Sequence, residues 1–493
     1  VSPVRLAVSF SVMIAACAAG ARAGESALAA GRWERGERLS GEGEGKFYGR
    51  LKTELRWESA GLRDAHDQED LDLYQWLTLG ADGLVHPQLD ARFVARFSKD
   101  LDGAHGVHRG EDVFGDARDD IRDGARDLLQ VYTAYARFRD LGGAVDVTAG
   151  RQSVHEVEWA HFDGVSFEAK RLGGAVSLGG FFGRRAVLWR DFDEKLIEGG
   201  HLTWHALETL DFTVSDVYYV ENSLGVRAAW SPKELVEGLL VEAGAKLIDE
   251  DLDEVGIAAE WSSADLGLEA TLSWKRHFLG VTESFHFDYT WRDRSVERLN
   301  LSDLDGFDDW EARLYKRIVR PFGVFAGLLR RQVFDHRAES AWETSSYWQP
   351  SGGADLEDWP WYGLRVDGRF TWADFHRPAV PAGAVFDEKL RGEGERDWFE
   401  VFVEVRQKLG KLALLGFEYT YREFDYRSKF RRERRLPCET FRVYARLDIG
   451  EIAGAARGLS VRIDYWNEED DAFVYRERIE RAEGVWAAVE YTF

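Results

Sequence analysis

Arginine and lysine recur on the polar side of alternating stretches throughout this chain, at Arg50, Lys52, Arg56, Arg92, Arg96, Arg151, Lys170, Arg313, Arg365, Arg369, Arg406, Arg442 and Arg446. A guanidinium keeps its charge at any relevant pH and grips carboxylates bidentately, so rings of such side chains around a water-filled tunnel attract anions. The same stretches carry Glu54, Glu168, Glu269, Glu311, Asp367, Glu400, Glu404, Glu418 and Asp464. These acids allow a second use of the cations, in cross-strand salt-bridge ladders that stiffen a wall. The two uses are compatible, and the residues that line a tunnel are expected among the thirteen cations named.

Other chemistry finds little footing. His155 and His161 are six apart and do not form the helical His-Glu-x-x-His zinc site. His201 and His205 would share one face of a strand, but no third ligand accompanies them. Asp303, Asp305, Asp308 and Asp309 have the oxygen chemistry for Ca²⁺, and equally that of a solvated turn. Neither a Gly-x-Ser-x-Gly elbow nor a phosphate-binding Gly-x-x-x-x-Gly-Lys is present. The expectation is no catalytic residue, no metal and no cofactor.

The elements that position the charges are β-strands. From Phe47 to Trp57 one face reads Phe47, Gly49, Leu51, Thr53, Leu55, Trp57 and the other Tyr48, Arg50, Lys52, Glu54, Arg56. Period-two alternation of this kind marks a strand whose faces meet different environments. It recurs at Leu89 to Phe97, Leu266 to Lys275, Phe399 to Arg406 and Phe441 to Asp448. Segments of roughly ten residues fit membrane-spanning strands better than the shorter strands of soluble sandwiches. Aromatics near segment ends, at Trp57, Trp274, Tyr419, Tyr421 and Tyr465, sit where a lipid–water girdle belongs. Short turns such as 140–143, 172–174 and 409–411 alternate with longer polar loops.

With 19 Trp and 17 Tyr but a single Met, the composition is a vocabulary of strands and turns. A net charge of −24 argues against nucleic-acid partners, which need a basic surface. Acid-rich stretches at 100–127, 249–254 and 468–471 read as solvated loops, or as sites where divalent cations bridge to lipopolysaccharide phosphates. Arg5, the apolar stretch Leu6 to Ala19 and the small residues Ala21-Arg22-Ala23 read as a secretory signal spanning 1–23. An alternative cut would leave Cys17 lipidated. After cleavage at Ala23 only Cys438 remains, so the fold must close without a disulfide. Beyond the signal no run of 18 apolar residues exists, which excludes helical spans.

The chain ends with Val485, Ala487, Val489, Tyr491 and Phe493 on one face. A terminal Phe behind alternating apolar residues matches the signal read by outer-membrane insertion machinery, carried here by Val489, Tyr491 and Phe493. Lipid offers no hydrogen-bond partners, so the first and last strands must meet. The organisation expected is a signal at 1–23, a periplasmic segment at 24–45, and an all-β, single antiparallel transmembrane barrel at 46–493. At roughly 26 residues per strand and connection it has about 18 strands, within a range of about 16 to 22. The location expected is the outer membrane of a Gram-negative bacterium, with outer-membrane lipid and lipopolysaccharide around it.

Residues 128–185 resemble the alginate export family of outer-membrane proteins. The resemblance rests on Leu129-Gln-Val-Tyr132, Gly150-Arg151-Gln152, Phe162-Asp163-Gly164 and Gly183-Arg184-Arg185, in that order. It implies an 18-stranded barrel and an arginine-rich lumen for an anionic polysaccharide, with Arg151, Arg184 and Arg185 in the lining. The functional expectation is passive passage of anionic solutes, of alginate type. A small-solute porin and an outer-membrane hydrolase are the alternatives. Segments 24–45, 335–358 and 373–396 are candidate plugs or long loops.

Overall fold

A computed structural model describes residues 45–62, 68–101, 127–154, 160–186, 196–219, 222–233, 236–249, 251–278, 306–335, 346–376, 397–426, 434–452, 456–470 and 479–493. The signal, nearly all of the 24–45 segment and most of 373–396 lie outside the described residues. Among the described residues no helix is long and apolar enough to cross a membrane.

Alternation becomes strand after strand: β1 (Lys46–Leu62), β2 (Gln68–Asp82), β3 (Leu89–Asp100), β4 (Asp127–Leu141), β5 (Val145–Val154), β6 (Ala160–Leu172) and β7 (Val176–Arg185). These are followed by β8 (Leu196–Leu207), β9 (Leu210–Tyr218), β10 (Asn222–Trp230), β11 (Leu239–Ile248), β12 (Asp251–Ser263), β13 (Leu268–His277), β14 (Gly306–Val319) and β15 (Phe322–Asp335). The rest are β16 (Ser346–Glu357), β17 (Leu364–His376), β18 (Asp397–Leu409), β19 (Ala413–Tyr426), β20 (Arg434–Asp448), β21 (Leu459–Asp470) and β22 (Ile479–Thr492). Each pairs antiparallel with its sequence neighbours, and β22 pairs with β1 from Arg50↔Thr492 to Leu62↔Ile479, so the sheet closes. Closure removes both edges, the condition for a sheet in lipid.

The closed sheet has 22 strands, not about 18. Two features caused the undercount. Strands β8, β9 and β10, and again β11 and β12, are joined by connections of two or three residues such as 208–209, so the average repeat is shorter than assumed. The stretch 335–358, expected as a loop, contains β16, whose Tyr-Trp-Gln-Pro-Ser-Gly-Gly run shows no alternation. Pro350 faces Leu328 of β15, while the ladder to β17 steps from Trp348 to Ser351, so the missing N–H falls where pairing lapses. With strands about 4.8 Å apart and tilted about 40°, 22 strands give a backbone radius of about 22 Å, against about 18 Å for eighteen. Wall side chains cannot fill such a lumen.

Cross-strand partners share a face, so the register carries each face around the wall. Ala169, Leu178, Leu202, Val214, Val226, Ala245 and Val255 follow one another on one side. Val165, Phe182, Leu272, Leu314, Val401 and Ile463 on that side are all exposed. The opposite side carries Lys52, Trp76, Arg96 and Gln130 in one row, and Asp464, Trp486, Arg56 and Asp72 in another. Side chains converge there, as on a concave surface. Trp76 stacks on Tyr132 across the intervening β3 at 5.3 Å, and the Tyr444 hydroxyl donates to Glu404 across β19 at 3.3 Å. The ionised side is therefore inside and the apolar side outside, as a bilayer requires.

Both ends of the barrel chain lie with the short connections 142–144, 173–175, 208–209, 320–321 and 410–412, while the strand ends Asp100 and Asp127, His277 and Gly306, and His376 and Asp397, between which the long loops of the sequence run, are at the other end. Glycine makes the turn after β4, where Gly142 and Gly143 adopt φ of 63° and 83°. Trp57, Trp274, Tyr419, Tyr421 and Tyr465 all face outward toward the long-loop end, as a girdle. At the seam Val489 lies between Thr53 and Val461, and Tyr491 between Leu51 and Leu459. The Phe493 amide donates to Gly49 O at 2.9 Å, and Gly49 returns the bond at 2.8 Å. The Phe493 ring occupies the position a Cβ on residue 49 would need.

Candidate functional site

The lumen wall is built mainly from paired charges. Arg50 reaches Glu490 at 2.5 Å, and Lys52 and Arg56 both hold Glu54. Lys170, with Arg137, holds Asp146. Arg313 binds Glu311 and Arg365 binds Asp367, while Arg406 lies 3.1 Å from Glu404. Arg369 and Arg422 converge on Glu400. Such ladders cancel much of the positive field that the arginines would otherwise present. Arg92 and Arg446 differ. Among the described residues neither has a carboxylate partner; Arg92 rests over the Tyr48 ring at 5.8 Å, and Arg446 is exposed opposite Arg462.

Between these ladders runs a band in which guanidiniums alternate with aromatic rings. It starts on β20 and β21, where Arg442 and Arg462 share Asp464 and Arg462 covers Tyr444 at 5.1 Å. Arg56 lies 4.9 Å over Trp486 and 4.6 Å over Tyr74. Arg96 follows, 5.5 Å from both Tyr74 and Trp76, with its Nε donating to Gln130 at 3.0 Å. Tyr132 completes this cage at 6.0 Å. It faces inward because the β3–β4 register shifts between Val94 and Ala95, giving β4 one extra residue. Stacking holds a guanidinium by its face and leaves its edge donors for carboxylates, here Asp464 for Arg442 and Arg462 and Glu54 for Arg56. The aromatic half of the band was not among the sequence candidates, although Tyr74 and Trp76 stand on the polar parity of β2.

Arg151 is a correction. It was expected in the lumen, but the register Ala134↔Arg151↔Asp163 places it on the face shared with Val165 and Phe167. There it grips Asp163 bidentately at 2.7 and 2.5 Å and donates to Val131 O at 2.8 Å. Arg184, opposite Asp163, is also outward, whereas Arg185 faces the lumen over Tyr219. The family resemblance had assigned all three to the lining from the strand motif. The faces follow from which neighbours alternate with Gly150 and Gln152.

The inner wall also holds a hydrogen-bond chain with the connectivity of a hydrolase triad. Ser177 Oγ is 3.0 Å from His205 Nε2, and His205 Nδ1 is 2.7 Å from Asp211. Strand N–H groups lie in the plane of the sheet, so none converge above Ser177 to hold an oxyanion. Asp211 is about half exposed, with side-chain exposure of 46%. The chain is therefore another polar rung of the wall. Asp308 and Asp309 point to opposite faces and are held by Arg276 and Arg331, which excludes a shared Ca²⁺. Asp303 and Asp305 lie outside the described residues, among which no cluster of three metal-ligating acids, histidines or cysteines occurs.

No family model matches the chain, and no curated protein matches it. Among solved structures it is similar to a BenF-like porin from Pseudomonas fluorescens Pf-5, at 9% identity over 91% of this chain and 98% of that one, with TM-score 0.45. Acinetobacter baumannii OccAB3 (10% identity, 91% and 99% covered, TM-score 0.42) and Pseudomonas aeruginosa OccK1 (11%, 91% and 98%, 0.42) are similar to the same degree. At such identities and scores the likeness says nothing about solute or mechanism. The barrel stands on its own closed ladder. The alginate export resemblance has no counterpart among these findings.

Proposed function

We propose that the protein is a passive outer-membrane channel for small solutes bearing a carboxylate. The observation that carries this reading is the band from Tyr444 to Tyr132, in which Arg442, Arg462, Arg56 and Arg96 alternate with aromatic rings on a water-facing wall. A carboxylate displaces one rung of an ion-pair ladder at a time, exchanging one charge-assisted bond for another, and so binds weakly enough to leave. Arg92 and Arg446, near the short-turn mouth, offer guanidiniums that need no such exchange.

A small-solute porin fits this wall better than a polyuronate exporter. A polymer with a charge on every sugar needs an unbroken excess of cations, and Glu54, Asp146, Asp367, Glu400, Glu404 and Asp464 interrupt it. Insertion through the outer-membrane assembly machinery, with Val489, Tyr491 and Phe493 as its signal, belongs to the same proposal. The test is a planar bilayer containing the purified chain. Stable conductance reduced by millimolar benzoate, and unaffected by a polyuronate, supports the reading. Conductance blocked by the polyuronate alone returns the function to polysaccharide export, and absence of conductance removes the channel.

A further inference from the structure

The outer face changes character toward the long-loop end. On β15 the outward residues run Phe322, Val324, Ala326, Leu328 and then Arg330, Gln332 and Phe334; on β13 they run Leu268, Ala270, Leu272, Trp274 and then Arg276. Trp274, Trp310, Arg330 and Trp348 are direct cross-strand neighbours over four strands. Tryptophans in such a row mark the boundary between hydrocarbon and headgroups. Arg330 thus stands at headgroup height, on the lipid side.

A guanidinium on this face without a counter-charge is destabilising unless the surroundings supply an anion. Arg330 lies 4.4 Å over the Trp348 ring and gives one bond, from Nη2, to Gln332 at 3.0 Å. Among the described residues no carboxylate pairs with it. Arg276, in the next row, gives Nε and Nη2 to Asp308 at 2.7 and 2.6 Å and leaves Nη1. Its ring contacts are Phe334, at 4.7 Å, and Trp274, at 5.8 Å. Arg276 holds Asp308, and the next acid on this face, Asp374, lies across Trp348 from Arg330, so the face is neutral in sum while Arg330 keeps undirected donors beside aromatic rings. The Arg151 sector is different, because there Asp163 and Val131 O engage all three guanidinium nitrogens.

With the long-loop end outside, as outer-membrane barrels carry it, we propose that Arg330 and Arg276 hold a phosphate of an outer-leaflet phosphorylated glycolipid, the lipopolysaccharide anchor, against the outer wall between β13 and β16. Three features select this occupant. Arg330 presents a guanidinium with no ion-pair partner among the described residues, its planar fork matches phosphate oxygens, and the tryptophan row sets the height at which lipid phosphates lie. Acyl chains would then descend along Leu272, Leu314 and Leu328, which are exposed on the same face. The inference rests on the reading of the chain as a membrane barrel and is independent of which solute the lumen passes.

The experiment is native mass spectrometry of the full chain in detergent, titrated with bisphosphorylated lipid A, its dephosphorylated analogue, or phosphatidylglycerol. Wild-type protein is expected to retain bisphosphorylated lipid A at least about tenfold more tightly than either alternative, and Arg330→Gln to lose that margin. Trp348→Leu is a second variant that leaves all charges in place and is expected to weaken retention. Glu423→Gln, on the outer face of β19, is expected to change nothing. Equal retention of the dephosphorylated analogue, equal retention of phosphatidylglycerol, or an Arg330→Gln variant indistinguishable from wild type overturns the proposal. Bilayer conductance of Arg330→Gln stays at the wild-type value, so failure here is separable from failure of the channel reading.

Discussion

Asp464 is the position where a single substitution exposes the electrostatic logic of the lumen. Its two oxygens accept four N–H donors, from Arg442 at 3.0 and 2.5 Å and from Arg462 at 2.7 and 2.8 Å. Glu418 stands 3.6 Å from Arg442, so the four charges sum to zero. Asp464→Asn raises the sum by one unit and leaves both guanidiniums under-partnered. One uncompensated charge at about 4 Å in water is worth about 1 kcal/mol, a ceiling of about fivefold on the local anion excess. The Debye length is about 10 Å at 0.1 M salt and about 3 Å at 1 M, so the effect belongs to dilute solution. The assay is the zero-current potential of a planar bilayer across a tenfold KCl gradient, repeated at higher total salt. The expected result is a shift toward anion selectivity at the lower salt that fades at the higher. An unchanged potential at low salt, or a shift that persists at 1 M, refutes the reasoning. Stability is expected to fall by about 2 kcal/mol, between the values for exposed and buried ion pairs, because Asp464 is buried while its arginines reach water.

Other outcomes follow from the two faces. Arg365→Glu reverses a lumen charge beside Asp367 and is expected to reduce anion selectivity in the same assay; Arg151→Glu, on the outer face, is expected to leave the potential unchanged while impairing assembly through repulsion with Asp163. Gly49→Val puts a side chain where the Phe493 ring lies, so a smaller heat-modifiable, folded fraction is expected on gels than for Gly368→Ala, where a Cβ meets only Ala354 O at 4.0 Å. Arg96→Ala opens the cage of Tyr74, Trp76 and Tyr132 and is expected to weaken benzoate block severalfold, with Arg96→Lys restoring it only in part because ammonium does not stack as a planar group.

Much of the architecture could be read from residues alone, because a wall one strand thick between water and lipid writes its two environments into alternate positions. Phe47 to Trp57 and Phe441 to Asp448 show it most plainly, and the tyrosines and tryptophans at their ends mark the boundary. Strand number was not legible to the same degree. In β16 Pro350, Gly352 and Gly353 conceal the period, and the residues there face outward or inward without large side chains to announce it. The lumen site was half legible. Arginines declare themselves by charge, but Tyr74, Trp76, Tyr132 and Trp486 come from three strands far apart in the sequence, and the extra residue in β4 that turns Tyr132 inward has no sequence signature. Arg151 failed for the opposite reason. A charged residue in a strand was assigned to water, whereas here an ion pair with Asp163 lets it stand on the outside.

Which face of the wall meets water decides what the barrel can do, and cysteine accessibility on β20 measures that directly. In a Cys438→Ser background, in vesicles, Arg446→Cys is predicted to react rapidly with a charged, membrane-impermeant thiol reagent and Val443→Cys to react only with a lipid-soluble maleimide. The reverse pattern, or equal reaction of both sites with the charged reagent, contradicts an apolar exterior around a wet lumen.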